Sequence, residues 1–167
     1  MLARQINFIR QQGFESPSAQ TCPVQYRALQ VQPRVVGVIV LVGVVFRSPL
    51  LFGALSAVLA WSALFPALSP FDAVYNHLIA ARRGLSPLEP APSPRRFAQA
   101  LAAILTMIIA VSLATGHPIV AGAVEGFMLA AVGAILFGGF CLGSFVFHLL
   151  AGNGEFARRT LPWHREP

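Results

Sequence analysis

Lysine is absent from this sequence: all twelve basic side chains in its 167 residues are arginine, set against six acids. Charge of either sign is scarce, at 11% of residues, where a soluble globular domain carries about 25%. The scarcity is uneven. Long stretches hold almost no charge, and the arginines fall between them and at the ends, which is the pattern of membrane-spanning segments. A soluble chain with so few polar residues could not cover its apolar surface. Two cysteines, Cys22 and Cys141, are too few for a disulfide scaffold. There is no phosphate-binding glycine loop, no Ser-His-Asp pattern and no pair of carboxylates at helical spacing. Repeated intramembrane polar residues, which mark a transport pathway, are missing too. A non-enzyme is therefore expected. Residues 1–10 are interrupted by Arg4, Gln5 and Asn7 and do not read as a cleavable signal, so the first apolar segment is expected to direct insertion.

The net charge of +6 and pI near 11.0 fit anionic lipid headgroups better than nucleic acid, given the apolar stretches. Arginine used to the exclusion of lysine, with abundant Ala, Gly, Pro and Val, reads as a GC-rich and hence bacterial genome.

The pattern predicts an all-α integral membrane protein of four transmembrane helices, arranged as two helical hairpins with an added amphipathic helix on the cytoplasmic side. Residues 1–33 form an N-terminal arm in which Leu2, Ile6 and Ile9 share one helical face, before Ser16, Pro17, Ser18 and Pro23 interrupt it. The membrane domain covers 34–150, with spans at about 34–46, 50–68, 97–115 and 119–150. The first of these is short. The 35–46 run reaches only about 18 Å of a core about 30 Å thick. Either it extends back through 28–32 or it is a re-entrant half-helix, and the first is favoured because Arg34 can snorkel and Pro33 is tolerated in a first turn. The last stretch is too long for one untilted span, and Gly138-Gly139 is expected to bend it. Residues 151–167 form a basic tail. A faint repeat between 48–54 and 117–123 fits two stacked hairpins.

Residues 69–84 read as an interfacial helix. Ser69 is the N-cap, Pro70 the first helical residue, Asp72 an acid in the first turn and Gly84 the terminator. Phe71, Val74, Tyr75 and Leu78 share a face expected to lie on lipid. Eleven of the twelve arginines lie in the N-terminal arm, the middle connection and the C-terminal tail, leaving only Arg47 opposite. The positive-inside rule then places both termini in the cytoplasm of a bacterial inner membrane.

Arg96-Phe97-Ala98-Gln99 opening a span, followed by Cys141-Leu142-Gly143, with Pro33-Arg34 before the first span and Ser69-Pro70-Phe71 after the second, resembles a bacterial membrane-protein family known only as a domain of unknown function. The resemblance covers roughly residues 30–150. The family signature continues Cys-Leu-Gly-Cys, whereas Ser144 stands here in place of the second cysteine. In the family, paired cysteines and gene neighbours of thioredoxin and sulfurtransferase type imply thiol or sulfur chemistry. A dithiol needs two sulfurs, so only Cys141 carries over.

Each candidate residue has two readings. Cys141 is a reactive thiol or an inert small residue in a helix contact, with Cys22 a conceivable resolving partner. Glu125, two turns into the last span, carries protons or cations, or is a structural acid held by Thr115, Ser112 or Ser56. His148 is open to a single axial bond to a chlorophyll-type pigment, or packs at the interface; neither it nor His117 has a second metal ligand at helical spacing. Gly138, Gly139 and Gly143 offer contact surface to partner helices or lipid. Arg82, Arg83, Arg95 and Arg96 are expected on lipid headgroups, with Trp163 an interfacial anchor. No metal and no required cofactor is expected; bound lipid is. The function expected is that of a non-catalytic accessory subunit of a bacterial inner-membrane complex, photosynthetic or respiratory, packing on partner subunits and clamping their cytoplasmic surfaces. A thiol or sulfur-handling protein using Cys141 and a small channel using Glu125 are the alternatives.

Overall fold

A computed structural model describes residues 2–14 and 22–163, and among these every regular element is helical. The break expected at Ser16–Ser18 and the end of the basic tail, including Arg165, lie outside the described residues. In chain order the helices are α1 (Leu2–Gln11), α2 (Cys22–Leu29), α3 (Val31–Phe46), α4 (Pro49–Leu64), α5 (Pro70–Val74), α6 (Ala81–Arg83), α7 (Ser93–Ala114), α8 (Pro118–Gly133), α9 (Leu142–Leu150) and α10 (Gly154–Arg159). A π turn, Tyr75–Ala80, joins α5 to α6, and a second, Ala134–Gly138, prolongs α8.

Among the described residues three helices are long and apolar enough to cross a membrane: Cys22–Phe46, Ser93–Ala114 and Pro118–Gly138. The first resolves the short-segment ambiguity. Gln30 keeps helical dihedrals between α2 and α3, so the run extends back past 28–32 to 25 residues, about 37 Å at 1.5 Å per residue. The second expected span is shorter than predicted. α4 has 16 residues, about 24 Å, and gives way to a 3₁₀ turn at Pro66–Leu68.

The turns follow from their residues. Ser48 caps α4, its Oγ accepting from the Leu51 N–H at 3.3 Å, with Pro49 as the first helical residue. α7 ends in a Schellman motif: the His117 N–H reaches the Ser112 carbonyl at 2.8 Å and the Gly116 N–H the Leu113 carbonyl at 3.4 Å, with Gly116 at φ 75°. The 119–150 stretch is two helices rather than one. Gly139 takes φ 65°, a conformation a residue with a Cβ adopts only at a cost, and the chain then turns through extended Cys141 into α9.

The main core joins α3, α4, α7 and α8 through Val36, Val40, Phe52, Leu55, Leu59, Ile109 and Met128. Ser56 Oγ donates to the Ala103 carbonyl at 2.7 Å across the α4–α7 contact. Small residues bring the helices together. A Cβ on Gly143 would sit 2.7 Å from Ala98 Cβ and 2.8 Å from Ala98 Cα; Gly37 faces Val132 and Gly43 the Phe52 ring at comparable range. Gly139 packs on the Arg4 side chain, and Arg4 Nη1 donates to the Phe137 carbonyl at 3.2 Å. Gly139 and Gly143 thus make contacts within the chain, with α1 and α7 beside them. Gly138 closes the π turn.

The 69–84 helix also departs from expectation. Phe71 and Tyr75 are buried, but Val74 and Leu78 are 48% and 53% exposed. Val74 and Leu78 thus keep the outward face expected of them, whereas Phe71 packs into the main core and Tyr75 against Ala28 and Ala80. The N-terminal arm, expected to clamp a partner, lies on its own chain: Phe8, Ile9 and Gln11 are buried, and Asn7 Nδ2 donates to the Leu161 carbonyl at 3.1 Å.

Gly143→Ala forces the α7–α9 crossing apart. It is expected to cost about 1–3 kcal/mol in unfolding measured in detergent, while Gly126→Ala, with open space around it, costs nothing. Equal stability of the two variants would contradict the crossing.

Candidate functional site

α7 opens with Ser93-Pro94-Arg95-Arg96, and the two arginines take opposite roles. Arg96 is exposed, and its Nε donates to the Ala63 carbonyl at 2.8 Å near the end of α4. Arg95, one residue earlier, turns inward and is only 4% exposed. This corrects the headgroup role expected of Arg95, since its guanidinium has a partner inside. Nη2 donates to Asp72 Oδ1 at 2.6 Å and to Gln32 Oε1 at 2.9 Å. Gln99, one turn along α7, donates through Nε2 to the same Gln32 oxygen at 3.0 Å. Asp72 was expected as an acid in the first turn of its helix. Ser69 still caps that helix, but the Asp72 carboxylate is buried against Arg95. One ion pair and two amides thus link α3, α5 and α7.

The link is incompletely satisfied. Arg95 Nη1, Asp72 Oδ2 and Gln99 Oε1 are buried without a hydrogen-bond partner, although buried polar groups normally have one. A partly open cavity of about 120 Å³ adjoins the network, lined by Gln12, Gln32, Arg95 and Gln99 together with Val36, Leu59, Leu105, Met128, Val132 and Cys141. Its walls are otherwise apolar. An engineered apolar cavity of about 150 Å³ holds a benzene ring, so this space is somewhat smaller than a site for one ring, and a longer chain would extend through its open side.

Cys141 stands at the N-cap of α9, with its N–H donating to Gln11 Oε1 at 2.8 Å. Ser144 Oγ lies 3.4 Å from Cys141 Sγ and 3.3 Å from the Pro94 carbonyl, and its one proton serves either. His148 Nε2 lies 3.0 Å from the Gln11 carbonyl, and its ring meets Phe147 and Phe156 edge-on. Cys141, Ser144 and His148 are all buried and share one face of α9 at positions i, i+3 and i+7. Cys22, fully buried at the start of α2, belongs to the same apolar cluster as Cys141, with Phe8, Ile9, Phe14 and Leu29. Both thiols are free.

The remaining candidates lie apart. Glu125 is 4% exposed on the inward face of α8, and its Oε1 has no partner. Of the three hydroxyls expected to hold it, Ser56 donates to the Ala103 carbonyl and Thr115 to the Val111 carbonyl. It does not line the cavity. Arg82 and Arg83 are exposed in α6, and Trp163 is 73% exposed. His117 is exposed and pairs with Thr115. Burial raises the Tyr75 phenol above its ordinary value. No group of three metal-ligating side chains occurs among the described residues.

Reading from sequence named Cys141, Cys22 and His148 but missed Gln11, Gln32, Asp72 and Gln99 as site residues. The available signal was that Arg95 and Gln99 stand one turn apart at the head of an apolar helix, on the same face as Ala103 and Thr106.

Asp72→Ala leaves the Arg95 charge buried without its anion. It is expected to destabilise by about 3–5 kcal/mol in detergent unfolding, and Asp72→Ala with Arg95→Met to recover much of that loss. A single variant as stable as exposed Arg83→Ala would rule out the pair.

No curated protein and no solved structure was found to match the chain. Residues 24–151 match the family described as Domain of unknown function (DUF4395), a stretch that contains α3 to α9, Cys141 and the whole Arg95 network but not Cys22 or α1. The chain belongs to this family.

Proposed function

We propose that this protein is a non-catalytic membrane protein that holds a neutral amphiphile, its polar head on Gln32, Arg95 and Gln99 and its tail along the apolar wall between α3, α7 and α8. One observation carries the reading: four side chains more than nine-tenths buried, Gln12, Gln32, Arg95 and Gln99, line a cavity that is otherwise apolar. The charge balance selects the class of ligand. Arg95 is already neutralised by Asp72, and the unpaired Gln99 oxygen belongs to a residue that lines the cavity, which disfavours an anionic head. A head that both accepts and donates hydrogen bonds is the better complement. The bacterial inner membrane, with both termini in the cytoplasm, is the proposed location, supported by the arginine distribution.

A second reading is supported by α4. At 16 residues it is too short to cross a core about 30 Å thick, and it exposes Trp61 and Leu64. Neighbouring helices of a larger assembly would cover that surface, which is the role of a non-catalytic accessory subunit.

The test of ligand binding is extraction and mass spectrometry of the chain purified in mild detergent, beside Ala102→Trp, which fills the cavity, and Gln99→Leu. A neutral lipid-soluble compound is expected at about one per chain, displaced by Ala102→Trp and weakened about tenfold by Gln99→Leu, the effect of one buried hydrogen bond. Equal neutral lipid on the protein and on Ala102→Trp would overturn the proposal. Cross-linking in native membranes tests the subunit reading, which fails if α4 cross-links to no other chain.

A further inference from the structure

The buried apolar residues fall into separate clusters. The main core joins α3, α4, α7 and α8. A second cluster is made of Phe8, Ile9, Phe14, Cys22, Leu29 and Cys141, and the first three of these belong to the N-terminal arm. A satellite cluster of this kind can open while the main core stays packed, because local opening costs less than global unfolding.

The arm also reaches the cavity. Gln12 lines it, and among the described lining residues it alone falls outside the family match of 24–151. Gln11 Oε1 accepts from the Cys141 N–H at 2.8 Å, and the Gln11 carbonyl lies 3.0 Å from His148 Nε2. Arg4 Nη1 donates to the Phe137 carbonyl at 3.2 Å. The arm therefore holds the break between α8 and α9, and Ile135, Cys141, Leu142 and Gly143 around that break are cavity wall. Its docking is imperfect. Arg4 Nε and Gln11 Nε2 are buried without a partner, a cost that water removes when the arm comes away.

We propose that the N-terminal arm, residues 2–14, is a strap that closes the cavity at its Cys141 end and lifts to admit or release the bound molecule. The inference rests on the binding reading above and adds the route by which the ligand exchanges. Lifting opens the satellite cluster and frees the Cys141 N–H, while α3, α4, α7 and α8 stay together. Cys141 reports the state of the strap. With the arm in place it is 4% exposed, and the cavity of about 120 Å³ is too small for a ring-shaped reagent to reach it from within.

The experiment times labelling of Cys141 by N-ethylmaleimide on the full chain in detergent, with the labelled residue identified by peptide mapping. Phe8→Ala weakens the strap's apolar contact, and Val40→Ala weakens the main core, where Val40 is fully buried. Labelling is expected to be slow in the unaltered protein and at least about tenfold faster in Phe8→Ala. Arg4→Ala, a milder change that removes one hydrogen bond, is expected to raise the rate about threefold. Val40→Ala is expected to leave it unchanged, although detergent unfolding shows a loss of stability. Rapid labelling of the unaltered protein would overturn the inference, because Cys141 would then be open with the arm docked. Equal rates in Phe8→Ala and the unaltered protein would overturn it too, as would equal acceleration by Val40→Ala. Neutral lipid that co-purifies while the labelling rates stay equal leaves the binding reading standing without the strap. Labelling that responds to Phe8→Ala in a chain that carries no neutral lipid leaves the strap standing without the binding reading.

Discussion

A charge placed beside the hydrocarbon is tolerated only if something inside the protein answers it, and Arg95 imposes that condition on the surrounding helices. Its guanidinium sits three residues into an apolar helix and is withdrawn from solvent. Asp72 must therefore reach it, which brings α5 against α3 and α7. Gln32 and Gln99 must fill the remaining positions around it, which sets the rotation of α3 and α7 about their own axes. A buried ion pair of this kind is weak evidence for net stability, because desolvation offsets much of the attraction, but removing one partner is costly. Its contribution is to hold one arrangement of helices against others that pack equally well.

That contribution matters because apolar helices in lipid have no hydrophobic drive to associate with each other. Close approach does the rest. Ala98 against Gly143, Val132 against Gly37 and the Phe52 ring against Gly43 bring backbones near enough for dispersion forces to act. The cavity is lined from α3, α7 and α8 beside the Arg95 network, and its polar end is made of that network's Gln32, Arg95 and Gln99 together with Gln12.

Element type was readable because hydropathy and turn chemistry are local. Ser48 and Ser69 as N-caps, Gly84 and Gly116 as terminators and the break at Gly139 each follow from the residue present. Extents were less readable. α2 and α3 read as an arm and a short span because Gln30, Gln32, Pro33 and Arg34 lower the local hydropathy, yet the backbone stays helical through them. Phe71 and Tyr75 read as facing lipid along with Val74 and Leu78, because periodicity groups an apolar stripe without telling which of its residues another helix covers.

The sequence by itself determined that the chain is helical and apolar enough for membrane insertion, and where most helices stop, since each depends on composition or on a cap within a few residues. Tertiary structure alone decided which polar residues face inward. Arg95 and Arg96 are adjacent and chemically identical, and Asp72 and Arg95 stand 23 positions apart. Only the packing of α5 on α7 makes one arginine the partner of that acid and leaves the other at the surface. The placing of Cys22 and Cys141 in one apolar cluster has the same origin, since burial there is a property of the assembled helices and nothing local to either cysteine encodes it.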